Sequence, residues 1–263
     1  MCGLTGIVIG KKYNKKELKR TKELFTNILI EHEERGREAT GVVAIWPDSS
    51  FIIKKSLLPA GEFVKTKEYL RFLKKLDPKV SIILGHTRKP TKGPLWNMDN
   101  NHPIVVGNII GVHNGTIKND DHLFNSEGLK RQSEVDSEII FSVLNEINFG
   151  DHPERFTHSI QETTKKLSGS FTTLSVNIKY PTKILLLKYN QPMSYHYSRQ
   201  LDTLFFTSRY LFLRKAFGKS VITEALPGKT AYMFDLLSNL VPKGEPCMKF
   251  PIESGNNIVK TDD

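Results

Sequence analysis

Two cysteines, Cys2 and Cys247, are all that the 263-residue sequence holds. A disulfide framework needs more, and no Cys-x-x-Cys pair offers a zinc site. No apolar run approaches the roughly 18 residues of a spanning helix. The apolar opening, Met1 to Gly10, is followed by basic residues and not preceded by them, the wrong order for a secretory signal. These absences lead to the expectation of a cytoplasmic protein with no membrane partner, no metal and no other cofactor. Nucleotide loops are missing too. Gly218-Lys219-Ser220 and Gly228-Lys229-Thr230 look like the end of a phosphate loop, but its leading glycine would fall on Leu213 or Thr223.

What is present is ordinary globular material: 38% hydrophobic, 10% aromatic and 25% charged residues. A chain of this length and composition buries a sizeable core. Lys and Arg number 38 against 28 Asp and Glu, a net charge of +10. That excess suits nucleic acid, an acidic protein or an anionic substrate, and it does not choose among them. Its one dense cluster, Lys11, Lys12, Lys15, Lys16, Lys19, Arg20 and Lys22, lies mostly on a helical pattern and reads as a solvated face.

Periodicity places a short buried strand at 4–9 and an amphipathic helix over 15–34, with Leu18, Phe25, Ile28, Leu29 and His32 on one side. Strand-like runs follow at 41–46, 51–54 and 81–86, then a β pair straddling Asn108 to Thr116. Two helical patterns come next, one carrying Ile139, Ile140, Val143, Leu144 and Ile147, the other Phe156, Ile160 and Leu167. Strands return at 170–178, 183–189, 203–208 and 230–235. Strand blocks separated by paired helices, without a βαβ rhythm, fit an α+β layered fold. The expected organisation is one domain over 1–241 and a loosely packed polar tail over 242–263.

Cys2 is the most informative residue. Removal of Met1 would leave it as the N-terminus, with a thiol and an α-amine of reference pKa near 7.7–8.0 in one residue. Such an amine takes the thiol's proton directly or through a water, the N-terminal-nucleophile form of activation. Taken alone, a Met-Cys start is more often a small apolar residue opening a strand. Here it begins Cys2-Gly3-Leu4-Thr5-Gly6, and further segments follow in order: Arg35-Gly36-Arg37-Glu38-Ala39-Thr40-Gly41, Gly85-His86-Thr87-Arg88, His113-Asn114-Gly115-Thr116-Ile117, Val135-Asp136-Ser137-Glu138 and Gly169-Ser170-Phe171.

Together these segments resemble the class II, N-terminal-nucleophile glutamine amidotransferases across about residues 2–235. The resemblance implies a four-layer αββα sandwich and hydrolysis of L-glutamine to glutamate through Cys2. It implies an oxyanion hole at Asn114 and Gly115, which the Asn-Gly pair alone would suggest as a tight turn. Glutamine's carboxylate would be held by Arg88 and Thr91, and its ammonium by Asp136. Each has a plainer reading: Arg88 as a surface residue, Asp136 as a helix N-cap. Lys89 and Lys92 depart from the family, standing where an aromatic residue and a histidine are common. His86, His102 and His113 read as hydrogen-bonded structural histidines.

No acceptor-domain signature follows residue 235, so the expectation is a free-standing subunit passing ammonia to a separate synthase. Two alternatives stay open at this stage, a non-catalytic glutaminase-like binding or regulatory module and another amidohydrolase of the same nucleophile class.

Overall fold

Strand β1 (Gly3–Ile9) is rich in β-branched residues, with Leu4 and two glycines, and is buried along its whole length. It therefore takes a central place. In the computed structural model, which describes residues 2–10, 14–218, 220–238 and 244–255, β1 pairs antiparallel with a strand on each side. Met1, Lys11, Lys12 and the expected boundary at 241/242 lie outside the described residues.

The sheet around β1 has seven strands. In chain order they are β1, β2 (Ala39–Ile45), β3 (Phe51–Ser56), β4 (Ile82–Arg88), β9 (Ser194–Ser198), β10 (Thr203–Thr207) and β11 (Glu224–Ala225). A six-stranded sheet takes the rest: β5 (Ile104–Val106), β6 (Ile109–Ile117), β7 (Gly169–Asn177), β8 (Lys183–Lys188), β12 (Thr230–Asp235) and β13 (Met248–Pro251). The spatial orders are β11-β9-β10-β1-β4-β2-β3 and β13-β12-β8-β7-β6-β5.

Period-two alternation divides the core into three. Leu4 and Val8 face the second sheet and pack with Val112, Leu174 and Phe206. Ile7 and Ile9 face the other way, onto α1 (Lys15–Glu31), where Phe25, Ile28 and Leu29 meet them. α2 (Ala60–Phe63) and α3 (Lys67–Lys75) complete that outer layer together with α7 (Tyr210–Phe217). On the far side, α4 (Asp120–Ser126), α5 (Ser137–Asn145) and α6 (Pro153–Lys166) cover Ile109, Phe171 and Leu185. The sheets approach closely where side chains are small: a Cβ on Gly6 would sit 2.6 Å from Leu174 Cδ1. The result is the expected four-layer αββα sandwich.

At the end of the first helix and in the tail the structure differs from the sequence expectation. The first helix ends at Glu31, and His32–Glu34 forms a 3-10 turn. Within the expected tail, Met248–Pro251 is a strand in register with Thr230–Met233, and Phe250 and Ile252 are buried in the helix-side core. Isolated apolar positions in a polar segment hid that strand.

His32 links α1 to β4 and β10, the two strands that flank β1. Its Nδ1 pairs with the Ile28 carbonyl (2.7 Å), its own carbonyl accepts from Thr87 Oγ1 (2.8 Å), and its Nε2 meets Thr207 Oγ1 (3.1 Å). Burial lowers its pKa to about 4, and burial lowers that of His86 on β4 to about 3. Unfolded, both rings titrate near 6.5. Between those values the unfolded chain binds more protons, so stability rises with pH across that window. Thermal unfolding followed by circular dichroism should give a midpoint that is level above about pH 7 and drops steadily from about pH 6.5 to 4. A level midpoint down to pH 4.5 would contradict this.

Candidate active site

Cys2 immediately precedes the central strand, and its two ends are held by different segments. Its carbonyl accepts a 2.7 Å hydrogen bond from Arg35 Nε. Its half-buried Sγ lies 3.4 Å from both the backbone N–H and the carbonyl of Lys89. Burial raises the thiol pKa; the Lys89 N–H and the Arg88 charge oppose that rise, and Asp136 reinforces it. A thiol raised in this way needs a base to ionise near neutrality.

Asn114 and Gly115 lie inside β6 and do not form the expected hairpin turn. They pair with Thr172 and Phe171 of β7, well within a continuous antiparallel ladder. Gly115 has φ +141°, and a Cβ there would fall 1.9 Å from the Ser170 carbonyl oxygen. Glycine is required because strand β7 presses directly on that position. The Asn114 side chain is buried, and its Nδ2 has no hydrogen-bond partner among the described residues. A buried donor without a partner is what an oxyanion site needs. Just before it, the His113 carbonyl pairs with His86 Nε2 (3.1 Å), tying the two sheets together beside the site.

Asp136 precedes α5, but its side chain makes no capping bond to that helix. Its Oδ2 accepts from the Ile117 N–H at the end of β6 (2.7 Å), so the carboxylate is turned toward the Asn114–Gly115 strand. Ser137 Oγ reinforces this junction through His113 Nδ1 (2.8 Å). Asp136 acts electrostatically on both Cys2 and Arg88. The structure thus gathers Cys2, Arg88 and Asp136 into one charged neighbourhood, with Asn114 and Gly115 on the adjoining strand.

Arg88 is buried, not a surface residue. Burial lowers its pKa, and the neighbouring Cys2 and Asp136 counter that effect. It donates to Asn101 Oδ1 (2.8 Å) and to the Lys92 and Gly93 carbonyls (2.7 and 2.8 Å). Two of its five N–H donors therefore remain for a ligand. Thr91 stands exposed on the same loop. A cleft of about 240 Å³ lined by Arg35, Lys89, Arg209, Glu33, Glu34 and Glu38 opens on this side. Its lining does not include Cys2, Arg88, Thr91, Asn114, Gly115 or Asp136. A larger cleft of about 630 Å³ includes Lys16 and Arg20 near the start of α1 and touches none of these site residues.

No family model matches the chain. Glutamine–fructose-6-phosphate aminotransferase (isomerizing) of Sulfurisphaera tokodaii is 33% identical over 199 residues, which cover 73% of this chain and 31% of that protein. The 7-cyano-7-deazaguanine synthase of Saccharolobus solfataricus is 29% identical over 212 residues, 79% of this chain and 43% of its relative. Among solved structures, glutamine phosphoribosylpyrophosphate amidotransferase from B. subtilis superposes with a TM-score of 0.63 at 18% identity, covering 89% of this chain and 47% of that one. The chain is a relative of the class II glutamine amidotransferases. It spans less than half the length of each of these curated relatives.

Within this glutamine amidotransferase framework, three supporting residues were not singled out from sequence. Arg35 holds the Cys2 carbonyl; the Arg-Gly pair had marked the loop but not this role. Asn101 orients Arg88 and is itself held by the Leu95 carbonyl (2.9 Å). Its signal is a polar Asn-Asn-His-Pro run too short to read alone. Ser137 steadies His113 and could not be separated from the Asp136 segment by spacing. Among the described residues, no cluster of metal-ligating side chains occurs and no helix is long and apolar enough to cross a membrane.

Proposed function

We propose that this chain is a glutaminase that hydrolyses L-glutamine to glutamate and passes ammonia to a separate acceptor enzyme. The observation that carries the reading is the buried, unpartnered Asn114 amide on the strand facing the Cys2–Arg88–Asp136 group. In this scheme Sγ of Cys2 attacks the side-chain amide carbon of glutamine. The resulting oxyanion takes hydrogen bonds from Asn114 Nδ2 and the Gly115 N–H. Ammonia leaves with the proton taken from the thiol, and water then cleaves the thioester to release glutamate and restore Cys2.

The raised thiol pKa gives the α-amine its role as base, which requires Cys2 to be the first residue. Arg88 would hold the substrate carboxylate with its two remaining donors, aided by Thr91, while Asp136 receives the ammonium. The relatives carry different names, and no acceptor substrate is assigned from them.

The test combines intact mass, glutamate release and labelling by 6-diazo-5-oxo-L-norleucine. Purified protein should lack Met1, form one adduct at Cys2 and release glutamate from glutamine. Activity in protein that retains Met1 would overturn the terminal-amine base. An adduct elsewhere, with Cys2 untouched, would overturn the nucleophile.

A further inference from the structure

The loop that carries Arg88, Lys89 and Thr91 is pinned at its far end by charges the scheme above does not use. Lys92 Nζ donates to Asp120 Oδ2 (2.6 Å) and to both carboxylate oxygens of Asp121 (3.1 and 3.0 Å). Arg131 pairs with the same two aspartates and lies over the Phe124 ring, 4.4 Å from its centroid. Asp120 is buried, so two cations meet one carboxylate that is largely out of water. Burial alone would lower the Lys92 ammonium, but its bonds to Asp120 and Asp121 prevail and its pKa is raised.

The pinned residue is connected to the site by its own backbone. The Lys92 carbonyl accepts from Arg88 Nη2, and the Lys89 N–H at the near end of the loop rests on Cys2 Sγ. Three successive ties therefore run from Asp120 to Lys92, from Lys92 to Arg88, and from Lys89 to Cys2. From this arrangement we infer that Lys92, with Asp120, Asp121 and Arg131, is an ionic latch holding the 88–93 loop in the form that presents Arg88 to the substrate. Lys92 is a positioning residue: it acts on glutamine through Arg88 and does not touch the reacting atoms. The substrate part of this inference rests on the glutaminase reading; the latch itself does not.

Lys92→Met removes the charge while keeping an unbranched side chain. The latch predicts faster hydrogen–deuterium exchange at amides 89–93 and faster alkylation of Cys2 by iodoacetamide, neither of which needs turnover. In glutamine hydrolysis, KM should rise about five- to tenfold with kcat changed less than about threefold. Lys92→Arg should restore both to within about twofold. Because part of the latch faces solvent, wild-type KM should also rise with sodium chloride, and the Lys92→Met KM should not. Unchanged exchange at 89–93 in Lys92→Met overturns the latch. Faster exchange with KM unmoved, or a loss confined to kcat, overturns the positioning role. Wild-type protein that neither releases glutamate nor labels at Cys2 overturns the glutaminase reading, while the exchange result still decides the latch.

Discussion

Cys2→Ala is expected to remove glutamine hydrolysis, a loss of at least about 10⁴-fold, the scale seen when a covalent nucleophile is deleted. The fold should hardly respond. Among the described residues Sγ makes two long hydrogen bonds, both with the Lys89 backbone, and a thiol-to-methyl change removes one heavy atom. The expected stability change is about 1 kcal/mol or less. Cys2→Ser should also be nearly inactive, since a terminal α-amine deprotonates an alcohol far less readily than a thiol. The measurement is glutamate release beside a thermal unfolding curve. Activity of Cys2→Ala within tenfold of wild type would refute the mechanism; a collapsed unfolding midpoint would show instead that the residue is structural.

Gly115→Ala should be the most damaging single methyl group in the site. The added Cβ would lie 1.9 Å from the Ser170 oxygen, 2.6 Å from its carbonyl carbon and 2.9 Å from His113 Nε2. Two of those atoms are backbone in a paired strand, and Thr116 is in register with Ser170, so neither side yields without breaking the ladder. The φ of +141° adds strain for any L-residue. Together the cost should be about 2–4 kcal/mol of stability. Hydrolysis should fall about 10²–10³-fold, as when one oxyanion donor is displaced. Gly128→Ala is the control: φ is +63° there, with nothing within 4 Å of the added atom. It should cost about 1 kcal/mol and leave activity alone. Comparable losses from the two substitutions would sink the clash argument.

The layered fold was legible because its strongest signals are local. Leu4 to Ile9 and Ile82 to Leu84 read as buried strands, and Phe25, Ile28 and Leu29 mark the inner face of α1. Elements with mixed signals escaped. β9, Ser194–Ser198, alternates tyrosine and polar residues because Tyr195 and Tyr197 pack inward while their hydroxyls reach Glu224 and Asp202. β13 rests on too few apolar residues to announce itself. Site chemistry was legible by residue type and not by conformation. Asn-Gly favours a hairpin turn on local grounds, yet pairing with nine residues of β7 keeps both in the strand, with glycine absorbing the unusual φ. Asp136 likewise has the local character of a cap, but the Ile117 N–H, close only in the folded chain, takes its carboxylate. Arg88 could be assigned to a ligand from sequence; that two of its donors staple its own loop and a third binds Asn101 could not.

β1 lies at the middle of its sheet, between β10 and β4, and Cys2 is its forerunner. If the α-amine is the base, this topology governs how the gene can be engineered or fused. Any polypeptide joined ahead of Cys2 would start beside the Arg35 side chain and the Lys89 backbone, both of which touch Cys2. It would also convert the catalytic amine into an inert amide. Affinity tags, reporters and additional enzymatic modules therefore belong behind the domain, and an extension in front must carry its own cleavage signal ending at Cys2.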